Sequence, residues 1–172
     1  HMMDKFIASS VTTCQRFDET KVNIDRGKLL DEPPSNAYKR FEHTADGLSP
    51  RSKIGLENGI FWNTGDESDV EGHISEDPVN RVEMMDKRQS RLDYILEKIP
   101  ESEQIVKHSD GEFCVVSWGS TQGPILDAID MLKNEGINIG FVEIKLLHPF
   151  PKELLKKSFS NSKTIIDVEA NY

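Results

Sequence analysis

The run Phe113-Cys114-Val115-Val116-Ser117-Trp118 constrains the fold of this chain more than any other stretch. It is almost continuously apolar, as expected of a strand buried on both faces, and such strands belong to parallel sheets. Gly119-Ser120-Thr121-Gln122-Gly123-Pro124 then turns into a helical pattern with apolar positions Ile125, Leu126, Ile129 and Leu132. Gly136 stands just past that helix, where glycine readily takes the left-handed conformation that closes it. Residues 137–144 read as the next strand, Pro151-Lys152-Glu153-Leu154-Leu155 starts the next helix, and 164–168 read as a third strand. Strand, helix, strand, helix, strand predicts two right-handed crossovers and a parallel α/β sheet over 112–172. A doubly wound domain would continue with a helix after its third strand, so this one is expected to be cut at its C-terminal end.

The rest of the chain reads differently. Residues 1–57 show no sustained period, and short β-prone pieces alternate with turn residues such as Asp25-Arg26-Gly27 and Pro33-Pro34-Ser35-Asn36. So long an irregular stretch is unusual inside a compact domain, so it is expected to be an arm or linker lying on another domain. Residues 58–111 carry a polar, turn-rich loop and one helix. Asp77-Pro78 is a helix start, with Asp as N-cap and Pro at the first helical position. Val82, Met85, Leu92, Ile95 and Leu96 continue at helical spacing to about Lys98, where Pro100 stops the pattern. The face carrying Arg81, Lys87, Arg88 and Arg91 reads as solvated.

Charge removes whole classes of partner. The chain carries 21 basic and 30 acidic residues for a net −9, which repels nucleic acid and anionic membrane. No run approaches the roughly 18 apolar residues of a membrane span, and no signal-peptide core precedes the first charges, so a cytoplasmic address is expected. Two cysteines, Cys14 and Cys114, are too few for a four-cysteine iron–sulfur cluster.

The chemistry concentrates in the polar loop. In Asp46-Gly47-Leu48-Ser49-Pro50-Arg51 a guanidinium follows a rigid Ser-Pro turn. It can grip a carboxylate through two parallel charge-assisted hydrogen bonds, although loop arginines are commonly just solvated. In Asn63-Thr64-Gly65-Asp66-Glu67 the Thr64 hydroxyl can donate to a substrate oxygen, or else simply cap the turn. His73 with Glu67, Glu71, Glu76 and Asp77 matches neither a zinc nor a calcium spacing, so no metal site is expected. His73 itself reads as a histidine hydrogen-bonded within a turn. Gly119-Ser120-Thr121-Gln122-Gly123 joins strand to helix but lacks GxGxxG and the Walker lysine, and Ser or Thr there reads as an N-cap.

Taken together, Asp46–Arg51, Asn63–Glu67 and Gly72-His73-Ile74-Ser75-Glu76-Asp77-Pro78 resemble the run DGxSPR…TGxE…GHxxEDPxxR of the α subunit of 2-oxoacid:ferredoxin oxidoreductases. Phe41 through Arg51 is similar to the family's FxxTxDGxSPR segment. Val115 through Gly119 resembles the first βα unit of its transketolase C-terminal-like domain. Val142-Glu143-Ile144-Lys145 with Leu147-His148-Pro149-Phe150-Pro151 resembles the next strand and its LxPFP turn, and Val168-Glu169-Ala170-Asn171-Tyr172 the start of VExNxxGQ. Ser68 stands where the family often has His, and Ile54 where it often has Pro.

The resemblance implies a truncated three-layer α/β domain of transketolase C-terminal type, preceded by an arm leading from a pyrimidine-binding domain. It implies oxidative decarboxylation of a 2-oxoacid to an acyl-CoA with reduction of ferredoxin. It further implies thiamine diphosphate, Mg and a [4Fe-4S] cluster in the assembled enzyme, none held by this chain alone, with coenzyme A as co-substrate. The implied partners are the β subunit, ferredoxin and the 2-oxoacid. Arg51 and Thr64 would reach the substrate's carboxylate region. Two other readings of the residues stay open: a non-catalytic subunit-interaction domain, and an anion-binding flavodoxin-like module using Ser120 and Thr121.

Overall fold

A computed structural model describes residues 3–170; Asn171 and Tyr172, which end the last motif segment, lie outside the described residues. The chain divides into two compact units, one made of the N-terminal residues through Gln15 together with Leu96 onward, the other of Arg16–Ile95.

In the first unit, strands β3 (Ile105–Ser109), β4 (Phe113–Ser117), β5 (Ile139–Ile144) and β6 (Thr164–Asp167) form one sheet in the order β3-β5-β4-β6. β4 lies parallel to both β5 and β6, with Val116 opposite Val142 and Cys114 opposite Ile165. Helix α4 (Gln122–Asn134) joins β4 to β5, and α5 (Lys152–Ser158) joins β5 to β6. Alternation along β5 sends Phe141 and Glu143 to one face and Val142 to the other. Leu155 of α5 packs with Val142, Cys114 and Ile105. On the opposite face Gln122 of α4 donates to Glu143 at 2.8 Å, so the two helices cover opposite faces and the unit has the three layers expected. Gly136 (φ 81°) closes α4: its N–H bonds Lys133 at 3.1 Å and that of Ile137 bonds Leu132 at 3.0 Å, the pairing of a Schellman turn.

The sheet also holds a strand that the apolar runs do not announce. β3 pairs antiparallel to β5 with an irregularity between Lys107 and Ser109. It is an edge strand with a half-polar sequence, Ile-Val-Lys-His-Ser, as edges need to be if they are not to recruit further chains. The parallel sheet is therefore a mixed one. A four-residue helix, α3 (Glu101–Gln104), leads into β3.

The turn after β4 differs from expectation too. No Ser or Thr side chain caps α4. Thr121 Oγ1 donates instead to the Trp118 carbonyl at 2.9 Å. The Ser120 N–H donates at 2.7 Å to Asp4 Oδ2, while Asp4 Oδ1 also accepts from Ile7 to start the short helix α1 (Lys5–Ser9). Those hydrogen bonds hold the Asp4 carboxyl below its usual range, the bond from Ile7 foremost. The anion position at this helix start is thus filled by the chain's own carboxylate, which removes the ground for the flavodoxin-like reading.

The second unit is built from loops around helix α2 (Pro78–Lys98). Asp77 caps that helix as expected, accepting from the Val79 N–H at 3.0 Å. Its faces follow expectation only in part, with Leu92 and Leu96 half-buried as read. Val82 is 60% exposed and Met85 and Ile95 are also open to solvent, whereas Met84 is 3% exposed. On the cationic face Arg81 and Arg91 are exposed as expected, whereas Lys87 and Arg88 are half-buried against the loops. Long Lys and Arg stems can cover surface while their heads keep hydrogen bonds. Strands β1 (Leu29–Leu30) and β2 (Arg51–Ser52) add a short parallel pair.

Candidate functional site

Arg51 owes its position to its neighbours in sequence. Its N–H donates to the Lys28 carbonyl at 2.8 Å as β2 pairs with β1. The Tyr38 hydroxyl brackets it, donating to the Pro50 carbonyl at 2.8 Å and accepting from the Ser52 N–H at 2.8 Å. Ser52 turns inward and donates to the Gly59 carbonyl at 2.6 Å. Period-two alternation therefore sends Arg51 outward. Its guanidinium is exposed and has no hydrogen-bond or ion-pair partner among the described residues. The backbone on either side of Arg51 is thus fixed, while its exposed guanidinium carries the planar fork that a carboxylate can pair with.

The arginine lines a cleft of about 780 Å³ within this unit. Leu29, Ile54, Leu56, Ile60 and Phe61 give the cleft apolar walls, and Arg26, Lys53 and Asn63 add polar groups. Mostly apolar walls with a few polar groups are the usual make-up of a small-molecule site. Lys53 is engaged by Asp31. Thr64 follows Asn63 but does not itself line the cleft. Its hydroxyl accepts from the Asp66 N–H at 3.2 Å, the capping reading, and its own proton remains free to donate. No hydrogen bond joins Arg51 to Thr64 among the described residues.

Two loops carrying these residues are tied down by charge. Lys28 Nζ contacts both oxygens of Asp46 at 2.7 Å, and Asp46 also accepts from Thr44 and from the Leu48 N–H. The Lys28 contact is the main reason the Asp46 carboxyl is lowered to about 2. Arg88 holds Glu67 through two parallel bonds of 2.9 and 2.6 Å, with Arg81 at 3.7 Å. That grip keeps the Glu67 carboxyl below the usual carboxylate range. Motif reading marks Glu67 but misses Arg88, which lies on the face taken as solvated; complementary charge between that face and Glu67 was the available signal.

Lys87 was missed for the same reason. Its ammonium donates to the Phe41 carbonyl at 2.8 Å and to Ser49 Oγ at 2.5 Å. Burial pushes its pKa down to about 8, helped by Arg91, Arg40 and Arg88 and opposed by Glu42. A lysine whose folded pKa lies below its ordinary 10.5 disfavours folding while charged. That penalty is present below pH 8 and fades as pH rises toward 10.5, because the unfolded chain then holds the extra proton. Urea midpoints at pH 8 and 10.5 should therefore rise through this group, and Lys87→Met should remove its share of the rise. An identical rise in wild type and variant would contradict it.

His73 sits in a turn as expected, its Nδ1 3.6 Å from Asp69, whose Oδ1 accepts three backbone N–H groups. Among the described residues, no group of three or more His, Cys, Asp or Glu could hold a metal ion. Cys14 is exposed and Cys114 buried, and both are free thiols. These residues fit neither a cluster, which needs four thiolates, nor the metal of a diphosphate cofactor. No helix among the described residues is long and apolar enough to cross a membrane.

Comparison with known proteins agrees with the motif pattern. A family model for the pyruvate:ferredoxin oxidoreductase core domain II matches residues 111–172. The α subunit of 2-oxoacid:ferredoxin oxidoreductase 2 from Aeropyrum pernix is 43% identical over 175 residues, covering 99% of this chain and 27% of that subunit. The corresponding α subunit from Saccharolobus solfataricus is 36% identical, covering 100% of this chain and 28% of its own length. A solved 2-oxoglutarate:ferredoxin oxidoreductase from Magnetococcus marinus, with 2-oxoglutarate, coenzyme A and succinyl-CoA bound, superposes with a TM-score of 0.76. It is 26% identical, and the match covers 91% of this chain and 27% of that one. This chain therefore spans about a quarter of the length of the curated relatives it matches. With the motif loops, the α/β unit and alignments that run along this whole chain in agreement, the chain belongs to the family of 2-oxoacid:ferredoxin oxidoreductase α subunits.

Proposed function

We propose that this chain supplies the substrate-carboxylate contact of a 2-oxoacid:ferredoxin oxidoreductase, as one part of its α subunit. The observation that carries the reading is Arg51 on the wall of an apolar-lined cleft, its flanking backbone held by Tyr38 and its guanidinium without a partner among the described residues. Arg51 would take the carboxylate in a bidentate pair, and the Thr64 hydroxyl would donate to a neighbouring substrate oxygen. The overall reaction would convert a 2-oxoacid and coenzyme A to an acyl-CoA, CO₂ and a proton, while two ferredoxins each accept one electron.

Thiamine diphosphate, Mg and the [4Fe-4S] cluster would sit elsewhere in the assembled enzyme. The segment before residue 58 would lead back toward a pyrimidine-binding domain, and the α/β unit after residue 112 would serve subunit contact with the β subunit. Free thiols at Cys14 and Cys114 suit a cytoplasmic address.

Reconstitution tests the reading. The complete α subunit containing this chain, assembled with its β subunit, should form acyl-CoA from a 2-oxoacid and reduce a viologen dye only when thiamine diphosphate is supplied. The 172-residue chain alone should be silent. Absence of thiamine-dependent turnover with pyruvate, 2-oxoglutarate and branched 2-oxoacids would favour a non-catalytic interaction domain.

A further inference from the structure

Arg51 and Thr64 stand on separate loops with no hydrogen bond between them among the described residues, yet both are asked to meet one small substrate. Their relative placement needs a common reference, and one face of α2 provides it. Lys87 Nζ reaches Ser49 Oγ at 2.5 Å and the Phe41 carbonyl at 2.8 Å. Ser49 in turn donates to the Glu42 carbonyl at 2.8 Å, and Pro50 limits the chain between Ser49 and Arg51. The same loop presses directly on the helix at Gly47 (φ 67°), where an added Cβ would lie 2.4 Å from Arg91 Cγ and 3.0 Å from the Lys87 carbonyl.

The neighbouring residue serves the other loop. Arg88 clamps both oxygens of Glu67, whose side chain is only 10% exposed. Asn80, two turns earlier on the same face, donates to the Ser68 carbonyl at 3.1 Å. The Ser75 N–H donates to the Glu67 carbonyl at 2.9 Å. Thr64 is joined to Glu67 through the turn that its own hydroxyl closes on Asp66.

We infer that Lys87 and Arg88 are positioning residues, fixing the Arg51 loop and the Thr64 turn to one helix so that both can engage the same 2-oxoacid. The inference rests on the carboxylate-binding reading of Arg51 above. Neither residue touches substrate; each acts through the loop that it holds. A displacement of an ångström or so in a recognition group is enough to cost on the order of a hundredfold, so a loosened loop should be visible in substrate use.

The test is a pair of double-mutant cycles in the complete, cofactor-loaded enzyme. Lys87→Met should raise KM for the preferred 2-oxoacid about tenfold while kcat stays within about twofold, because a uniform binding contact is weakened. In an Arg51→Ala background the same substitution should change KM by less than about twofold, since the group it positions is gone. Arg88→Met should behave likewise against Thr64→Val. Where Lys87→Met fails to assemble, Lys87→Gln keeps an amide donor to Ser49 and serves in the same cycle.

A merely structural role predicts less assembled enzyme with an unchanged KM in what remains, or KM effects that add in the double variant; either result overturns the inference. Arg51→Ala with an unchanged KM would overturn the carboxylate reading, and this inference with it. Arg51→Ala with a raised KM but Lys87→Met and Arg88→Met with normal KM would overturn the inference alone.

Discussion

Arg51→Lys in the complete enzyme is expected to lower kcat/KM for every accepted 2-oxoacid by about ten- to a hundredfold. An ammonium keeps the charge but loses the planar fork, and a hydrogen bond to a charged group contributes roughly 1.5–3 kcal/mol. Cofactor content and subunit assembly should stay near normal, because the guanidinium is exposed and has no hydrogen-bond or ion-pair partner among the described residues. Steady-state kinetics on the purified variant, with its cofactor content measured alongside, check both halves. A variant with unchanged kcat/KM but poor assembly would instead make Arg51 a brace for its loop.

The largest effect on stability is expected at Phe141. Its side chain is fully buried on β5, and its ring stacks on His108 with centroids 4.8 Å apart. β5 pairs with β3 on one side and β4 on the other, so the sheet cannot easily close over a lost ring. Phe141→Ala should cost about 3–5 kcal/mol from lost burial and the cavity left behind. Domains of this size are stable by only about 5–15 kcal/mol, so most of the margin disappears. Phe113→Ala, at a position 49% exposed, should cost well under half as much. Urea unfolding of the two variants side by side measures the contrast, and equal shifts would place the core elsewhere.

Much of the fold was legible because local chemistry and long-range packing agree there. Asp77-Pro78 and Pro100 bound α2, Gly136 closes α4, and the apolar runs at β4 and β5 mark a buried parallel pair. β3 was not legible, since a half-polar edge strand has neither a continuous apolar run nor a clean alternation. The faces of α2 depart from expectation at Val82, Lys87 and Arg88 for a deeper reason. Apolar periodicity says which face of a helix prefers to leave water, not whether its cover lies within the same chain. Val82 lies 60% exposed, while Lys87 and Arg88 bond the motif loops.

The site was half legible. Turn chemistry and the Ser-Pro-Arg pattern single out Arg51, and the structure sets it on a cleft with no partner among the described residues. What holds Arg51 there could not be read from spacing. Tyr38 and Lys87 are remote in sequence, and their contacts to Pro50, Ser52 and Ser49 are the long-range contacts that fold the loop. Ser120 shows the converse. Its turn carries anion-binding chemistry, but the anion is Asp4, from the far end of the chain.

The most direct measurement is a structure of the assembled enzyme with its 2-oxoacid bound and thiamine diphosphate replaced by an analogue that cannot form the attacking carbanion, so that the substrate keeps its carboxylate. The substrate carboxylate should lie about 2.7–2.9 Å from the Arg51 guanidinium nitrogens, in a paired geometry. A carboxylate held by other residues, with Arg51 still facing solvent, would contradict the account.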